Sequence, residues 1–195
     1  MREAPGKHDP TFLPPDLPVP RDDGAARHLA GMKWPDIALA ATSGPAVNLS
    51  ELKGRAVVYI YPRTGVPGVD APPNWDDIPG ARGCTPQSCG FRDHFAELKA
   101  LGVANVYGLS TQHTAYQREA AERLRLPFPL LSDADLKLKY AIGLPAFSTS
   151  DMILYKRLAM VLDEAEIVQV FYPVFPPDKN AGEVIAWLRA GKKPT

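Results

Sequence analysis

The two cysteines, Cys84 and Cys89, are the residues whose type and spacing suit covalent chemistry. They stand in the stretch GCTPQSCGFRD, between a Gly/Pro-rich loop and an amphipathic segment that predicts a helix. Cys84 falls at the cap or first turn of that helix. The unpaired N–H groups and the dipole there favour an anion, and a thiolate is one. A free thiol titrates near 8.5, so only about 3% is ionised at neutral pH. Moving a thiol down by about two units takes about 2.7 kcal/mol. A helix N-terminus supplies roughly 0.3–2 kcal/mol of that. A cation is therefore expected, and arginine is the natural one because it stays charged. Arg82 is next door, Arg63 ends a strand and Arg157 starts a later one.

Cys89 lies five residues on. In an intact helix that step turns the side chains about 140° apart and about 7.5 Å along the axis. A disulfide prefers Cα atoms within about 7 Å. The pair can join only if the first turns unwind, so the spacing describes either a redox switch with local unfolding or a small core residue at Cys89. Two rivals use other chemistry. Cys84, Cys89 and His94 fall at zinc-like spacing but are one ligand short of a closed structural site. A Cys–His hydrolase would draw on His28, His94 or His113, none of which the sequence pairs with Cys84.

The elements that must position the cysteines follow from periodicity. Residues 1 to about 28 contain Pro5, Pro10, Pro14, Pro15, Pro18 and Pro20, and read as an extended arm, flexible or draped over the body. The body, 29–195, opens with a short strand or hairpin entry around MKWPDIALAAT. RAVVYIYP is a continuous apolar run that predicts a buried strand stopped at Pro62. Residues 63–83 form a long Gly/Pro loop, which is uncommon in a compact domain unless it has a function. A helix is expected from about Thr85 to Ala100, with Phe91, Phe95, Leu98 and Leu101 on its buried face. VANVYGLS and FPLLSD predict strands, with a helix at HTAYQREAAERLRL between them and another at ADLKLKYAIG. KRLAMVLD and EIVQVFYP predict an antiparallel hairpin, and NAGEVIAWLRA a closing helix. The expected fold is α/β, with a mixed central sheet flanked by helices, of thioredoxin-like type. Trp34 and Trp187 read as core. Trp75 reads as a lid over the site, a dimer contact or an anchor for its own loop, and FYPVFPP as packing beside the site or supporting a subunit contact.

The 195-residue chain balances 22 Lys and Arg against 22 Asp and Glu, with no basic cluster. Nucleic acid and anionic membrane surfaces are not expected partners. No apolar run is long enough to span a bilayer, and the N-terminus lacks a signal-peptide layout. Cytoplasmic location is the default expectation, where a lone close Cys pair points to redox, catalytic or metal chemistry rather than a disulfide scaffold.

GCTPQSCGFRD resembles the active-site signature of the peroxiredoxins, specifically the Q-type or bacterioferritin comigratory protein subfamily. VNLSELKGRAVVYIYP, LGVANVYGLST, FPLLSD and RLAMVLD follow in that family's order, from about Leu29 to Leu188. The resemblance implies a thioredoxin-like fold and a peroxidase needing no metal or organic cofactor. It makes Cys84 the peroxidatic and Cys89 the resolving cysteine. Arg157 becomes the arginine that holds the thiolate, and Pro62 the proline after the first core strand. Peroxide is the implied substrate and a thioredoxin-like dithiol the reductant, in a monomer or homodimer. The family's threonine three residues before the nucleophile is replaced by Ala81, and the connection from Pro62 to Cys84 is longer than the family's. Thr64 is expected to supply the missing hydroxyl, with Thr85 as a second candidate. A redox sensor with little turnover is the alternative that this departure leaves.

Overall fold

The computed structural model describes residues 9–191, so the first eight residues of the expected arm and the last four of the chain lie outside it. The sheet grows outward from β3 (Arg55–Ile60). Ala56, Val58 and Ile60 enter one core and Val57, Tyr59 and Tyr61 the other, because successive strand residues face opposite ways. Both faces are covered, which is why the strand reads as an unbroken apolar run.

On one side β3 pairs in parallel with β4 (Val103–Ser110), which pairs in parallel with β5 (Leu130–Ser132). β1 (Ala38–Ala41) adds antiparallel to β5, and β2 (Val47–Asn48) closes that edge. On the other side β3 pairs antiparallel with β8 (Leu158–Asp163), and β8 with β9 (Glu166–Phe171). The seven-stranded order is β2-β1-β5-β4-β3-β8-β9, a mixed sheet as expected. The β8–β9 turn holds Glu164 and Ala165 at φ of 47° and 64°, the signature of a two-residue hairpin turn.

Helices α3 (Thr114–Arg123), α4 (Lys137–Ile142) and α5 (Asn180–Arg189) match the expected amphipathic segments. Gly143 ends α4 at φ 64°. Two expectations are corrected. The helix expected over 85–100 is two helices, α1 (Cys84–Asp93) and α2 (Phe95–Ala100), separated at His94, whose φ of −97° and ψ of 8° leave the helical region. The apolar spacing runs through that break, so it carries no sign of it. A second hairpin, β6 (Ala146–Thr149) with β7 (Met152–Tyr155), occupies a stretch not read as strand.

The 63–83 connection carries a 3-10 turn at Trp75–Asp77 and a small core of its own. Trp75, Ala81 and Leu154 are buried together, with Ile78, Phe147 and Met152 packed on them, so the connection rests on the β6–β7 hairpin. Trp34 is buried and Trp187 half-buried. Among the described residues no helix is long and apolar enough to cross a membrane.

Candidate active site

Cys84 is the first residue of α1, and Gly83 before it has φ 104°, a conformation that L side chains rarely adopt. A Cβ at Gly83 would also stand 2.2 Å from Pro177 Cγ and 2.9 Å from Leu13 Cδ2. The glycine thus lets the chain turn into α1 under the FYPVFPP segment on one side and the arm on the other. FYPVFPP therefore packs beside the site.

Cys84 Sγ is buried and receives two donors. Arg157 Nη2 lies at 3.2 Å and the Arg63 backbone N–H at 3.4 Å. Arg157, 3% exposed, also donates through Nη2 to the carbonyls of Ala81 and Arg82, each at 3.0 Å. Its Nε reaches the Gly80 carbonyl at 3.3 Å and its Nη1 the Gln87 Oε1 at 2.5 Å. Gln87 in turn donates to Asn180 Oδ1 at 2.9 Å, which ties α1 to α5.

Of the three arginines open on the sequence, Arg157 brings its guanidinium to the sulfur. Arg63 reaches Sγ through its backbone, while its guanidinium stacks over Tyr116 and bonds Tyr116 Oη and Met152 Sδ. Arg82 sends its guanidinium to Asp76 and to the carbonyls of Asp9 and Phe12. Pro62 is buried between β3 and Arg63.

The two threonines part company. Thr64 is fully buried on the cavity wall, but its hydroxyl donates to Gln112 Oε1 at 3.1 Å. Its backbone N–H goes to the same oxygen at 3.0 Å. Thr85 is buried on the same wall, and its hydroxyl has no hydrogen-bond partner among the described residues. The cavity beside Cys84 measures about 20 Å³, with Arg63, Val66, Val69, Trp75 and Pro10 among its walls. Trp75 therefore lines the space beside Cys84 while it anchors its own loop.

Cys89 is half-buried on α1, and both cysteines are free. Burial pushes the Cys89 thiol above its ordinary range. The helix that carries the cysteines is anchored at Ser88, which accepts from Tyr59 Oη at 3.0 Å, and at Phe91, whose ring stacks on Tyr59 at 4.5 Å. The histidines lie elsewhere: His94 pairs with Glu97, His28 Nε2 meets the Ile142 carbonyl, and His113 precedes α3 at the surface. No group of three His, Cys, Asp or Glu among the described residues is placed to hold a metal.

Sequence reasoning missed Gln87 and Gln112. Each is a buried amide that orients a residue it did single out, Arg157 and Thr64. Their signal is faint: a polar residue one turn after Cys84, and another just past β4.

The family model described as Redoxin matches residues 29–185. A chloroplastic peroxiredoxin Q of Sedum lineare is 33% identical over 189 residues, covering 95% of this chain and 91% of the relative. A putative chloroplastic peroxiredoxin Q of Oryza sativa subsp. indica is 37% identical over 164 residues, covering 82% of this chain. The chain spans 66% of that relative's length. The crystal structure of peroxidoxin BcpB from Mycobacterium tuberculosis superposes with a TM-score of 0.65 at 27% identity, over 84% of this chain and 98% of that one.

Proposed function

The chain belongs to the redoxin family, among the peroxiredoxin Q proteins, and from that premise we propose that it is a thiol peroxidase with Cys84 as nucleophile and Cys89 as resolving thiol. The observation that carries the assignment is the Arg157 guanidinium 3.2 Å from Cys84 Sγ, at the first residue of a helix and beside a small cavity.

The Cys84 thiolate attacks one oxygen of the peroxide. The S–O bond forms as the O–O bond breaks, giving a sulfenic acid and an alkoxide or hydroxide that takes up a proton. Arg157 and the N–H of Arg63 stabilise the negative charge, first on sulfur and then on the departing oxygen. Cys89 then displaces hydroxide from the Cys84 sulfur, so a disulfide forms and water leaves. A thioredoxin-like dithiol reduces that disulfide by exchange and is itself oxidised. Atoms and electrons balance without a metal or organic cofactor.

Thr85 is the residue that supplies a hydroxyl to the bound peroxide in this reading, because Thr64 gives its own to Gln112. Pro62 holds the end of β3 so that the Arg63 N–H meets the sulfur. Residues 29–195 form the catalytic domain, with 63–83 as an insertion and 1–28 as an arm. Both thiols lie on one helix, so a monomer or homodimer suffices, and a reducing compartment such as the cytoplasm suits free thiols.

Cys84→Ser is expected to abolish peroxide consumption. Cys89→Ser is expected to allow one turnover and leave a trappable sulfenic acid. Steady-state activity in Cys84→Ser would sink the assignment. Ala81, where the subfamily has threonine, favours a second reading as a redox sensor, and a peroxide rate near that of free cysteine would select it.

A further inference from the structure

The space in front of Cys84 is bounded by Thr85 of α1, Tyr116 of α3 and the chain after β3, and also by two segments that lie apart from the sheet and its helices. Pro10 comes from the arm, and Val66, Val69 and Trp75 come from the insertion. Arg82, which directly precedes Gly83 and Cys84, joins the arm to the chain around Asp76. Its Nη1 meets both carboxylate oxygens of Asp76, at 3.0 and 3.2 Å. Its Nη2 meets the carbonyls of Asp9 and Phe12, at 2.9 and 3.1 Å. Asp76 is the neighbour of Trp75, so the same contact that joins arm to insertion fixes the chain beside Trp75, which packs on Ala81 and Leu154. Trp75 is 6% exposed.

We infer that the arm and the insertion, clasped by Arg82, make the site selective for hydrogen peroxide over hydroperoxides that carry a bulky alkyl or aryl group. The narrowness of the space at the sulfur decides the class. A cavity needs about 10–15 Å³ to hold one water. The space beside Cys84 measures about 20 Å³ and opens to solvent, so it accommodates the two oxygens of hydrogen peroxide, while a phenyl ring or branched alkyl group next to the peroxide would have to lie in its mouth. The wall that a larger substrate would meet is Trp75 with Val66 and Val69, and the clasp stops that wall from swinging out. The inference rests on the peroxidase reading and names the substrate class of the same site.

The test compares kcat/KM for hydrogen peroxide, tert-butyl hydroperoxide and cumene hydroperoxide in the full chain and two variants. The wild-type protein is expected to favour hydrogen peroxide over cumene hydroperoxide by at least about tenfold. Trp75→Ala, which removes the wall, is expected to narrow that ratio by about tenfold. Asp76→Ala leaves the wall residues in place and loosens the clasp. It is expected to narrow the ratio by about threefold or more, with the hydrogen peroxide rate unchanged. Equal wild-type rates on all three substrates would overturn the selectivity, and so would a ratio that neither variant moves. A protein that consumes none of the three overturns the peroxidase reading itself, which separates the two failures.

Discussion

Arg157 holds Cys84 from 3.2 Å and, with the same guanidinium, holds the carbonyls of Gly80, Ala81 and Arg82 that lead into it. One buried cation therefore fixes both the sulfur and the path of the chain just before it. A guanidinium suits this because its donors are spread in a rigid plane, whereas an ammonium is a point charge on a flexible stem. Arg157→Lys is expected to lower kcat/KM for hydrogen peroxide about 10²–10³-fold, the range for loss of one pre-organised donor to a developing anion. Arg157→Met is expected to lose more activity and to destabilise the fold by about 2–4 kcal/mol, because buried carbonyls and the Gln87 amide lose their partner. A peroxide assay and a denaturant melt measure the two effects. Wild-type kcat/KM in Arg157→Lys would remove Arg157 from the mechanism.

The threonines give a paired prediction. Thr85→Val is expected to lower kcat/KM for hydrogen peroxide about 10–100-fold, the value of one hydrogen bond of about 1–3 kcal/mol. Thr85→Ser is expected to restore most of it. Thr64→Val breaks the bond to Gln112 and is expected to act on thermal stability more than on rate. The reverse pattern would return the hydroxyl role to Thr64.

Gly83→Ala tests the turn into α1. The backbone sits at φ 104°, and the new Cβ would stand 2.2 Å from Pro177 Cγ, a ring that cannot swing aside as a flexible chain end can. Positive-φ strain and overpacking each amount to about 1–3 kcal/mol. The variant is expected to be less stable by about 2–4 kcal/mol in a denaturant melt, with slower peroxide turnover. A melt within error of the wild type would show that the 176–179 segment yields freely.

Much of the fold is legible in the sequence. β3 shows as an unbroken apolar run because both of its faces are buried. The β8–β9 hairpin shows because charged and small residues interrupt two apolar strands. Cys84, Cys89 and Arg157 stand out in the sequence because few residue types suit thiol chemistry, and the fold brings Arg157 to Cys84. The β6–β7 hairpin does not show: β6 has no fully buried residue, so its pattern lacks a sharp alternation. The break at His94 is equally silent, since Phe91 and Leu98 keep helical spacing across it. Arg82 sits beside Cys84 in sequence, yet its partners Asp9 and Phe12 lie 73 and 70 residues away. Contacts that distant leave no local trace, and neither does a buried glutamine such as Gln87.

Acid is expected to free the arm. Asp23 accepts from Lys156 Nζ at 2.5 Å, Tyr172 Oη at 2.7 Å and the Ala25 N–H at 3.1 Å. These bonds, with Lys156 first, hold its carboxyl well below the usual carboxylate range. A group with a depressed folded pKa adds stability above its ordinary pKa of about 3.9, and that stability fades as pH falls further. Arm docking is therefore expected to be full at neutral pH and to weaken below about pH 4. Hydrogen exchange at residues 20–28 as a function of pH measures it. Asp23→Asn should show loosened exchange already at pH 7 and no further change in acid. An identical acid profile in both proteins would show that another group controls the arm.

Opening of α1 is the step expected to limit the disulfide. In the intact helix the two thiols stand about 140° apart and about 7.5 Å along the axis, too far to bond. The helix that carries them is held by Tyr59 Oη on Ser88, by Gln87 on Arg157 and Asn180, and, just past Cys89, by the Phe91–Tyr59 stack. Tyr59→Phe keeps the stack and removes one hydrogen bond, worth about 1 kcal/mol. Once Cys84 is oxidised, disulfide formation is expected to quicken about fivefold in that variant, while the first attack on peroxide keeps its rate. Burial raises the Cys89 thiol, so the protonated, buried form is favoured in the closed helix and ionisation favours the open one. That contribution to the closed helix is complete below the ordinary thiol value near 8.5 and is lost as pH rises above it. Disulfide formation should therefore accelerate on the alkaline side. Stopped-flow fluorescence after a single equivalent of peroxide reads both effects. A rate that ignores both pH and Tyr59→Phe would place the limiting step outside α1.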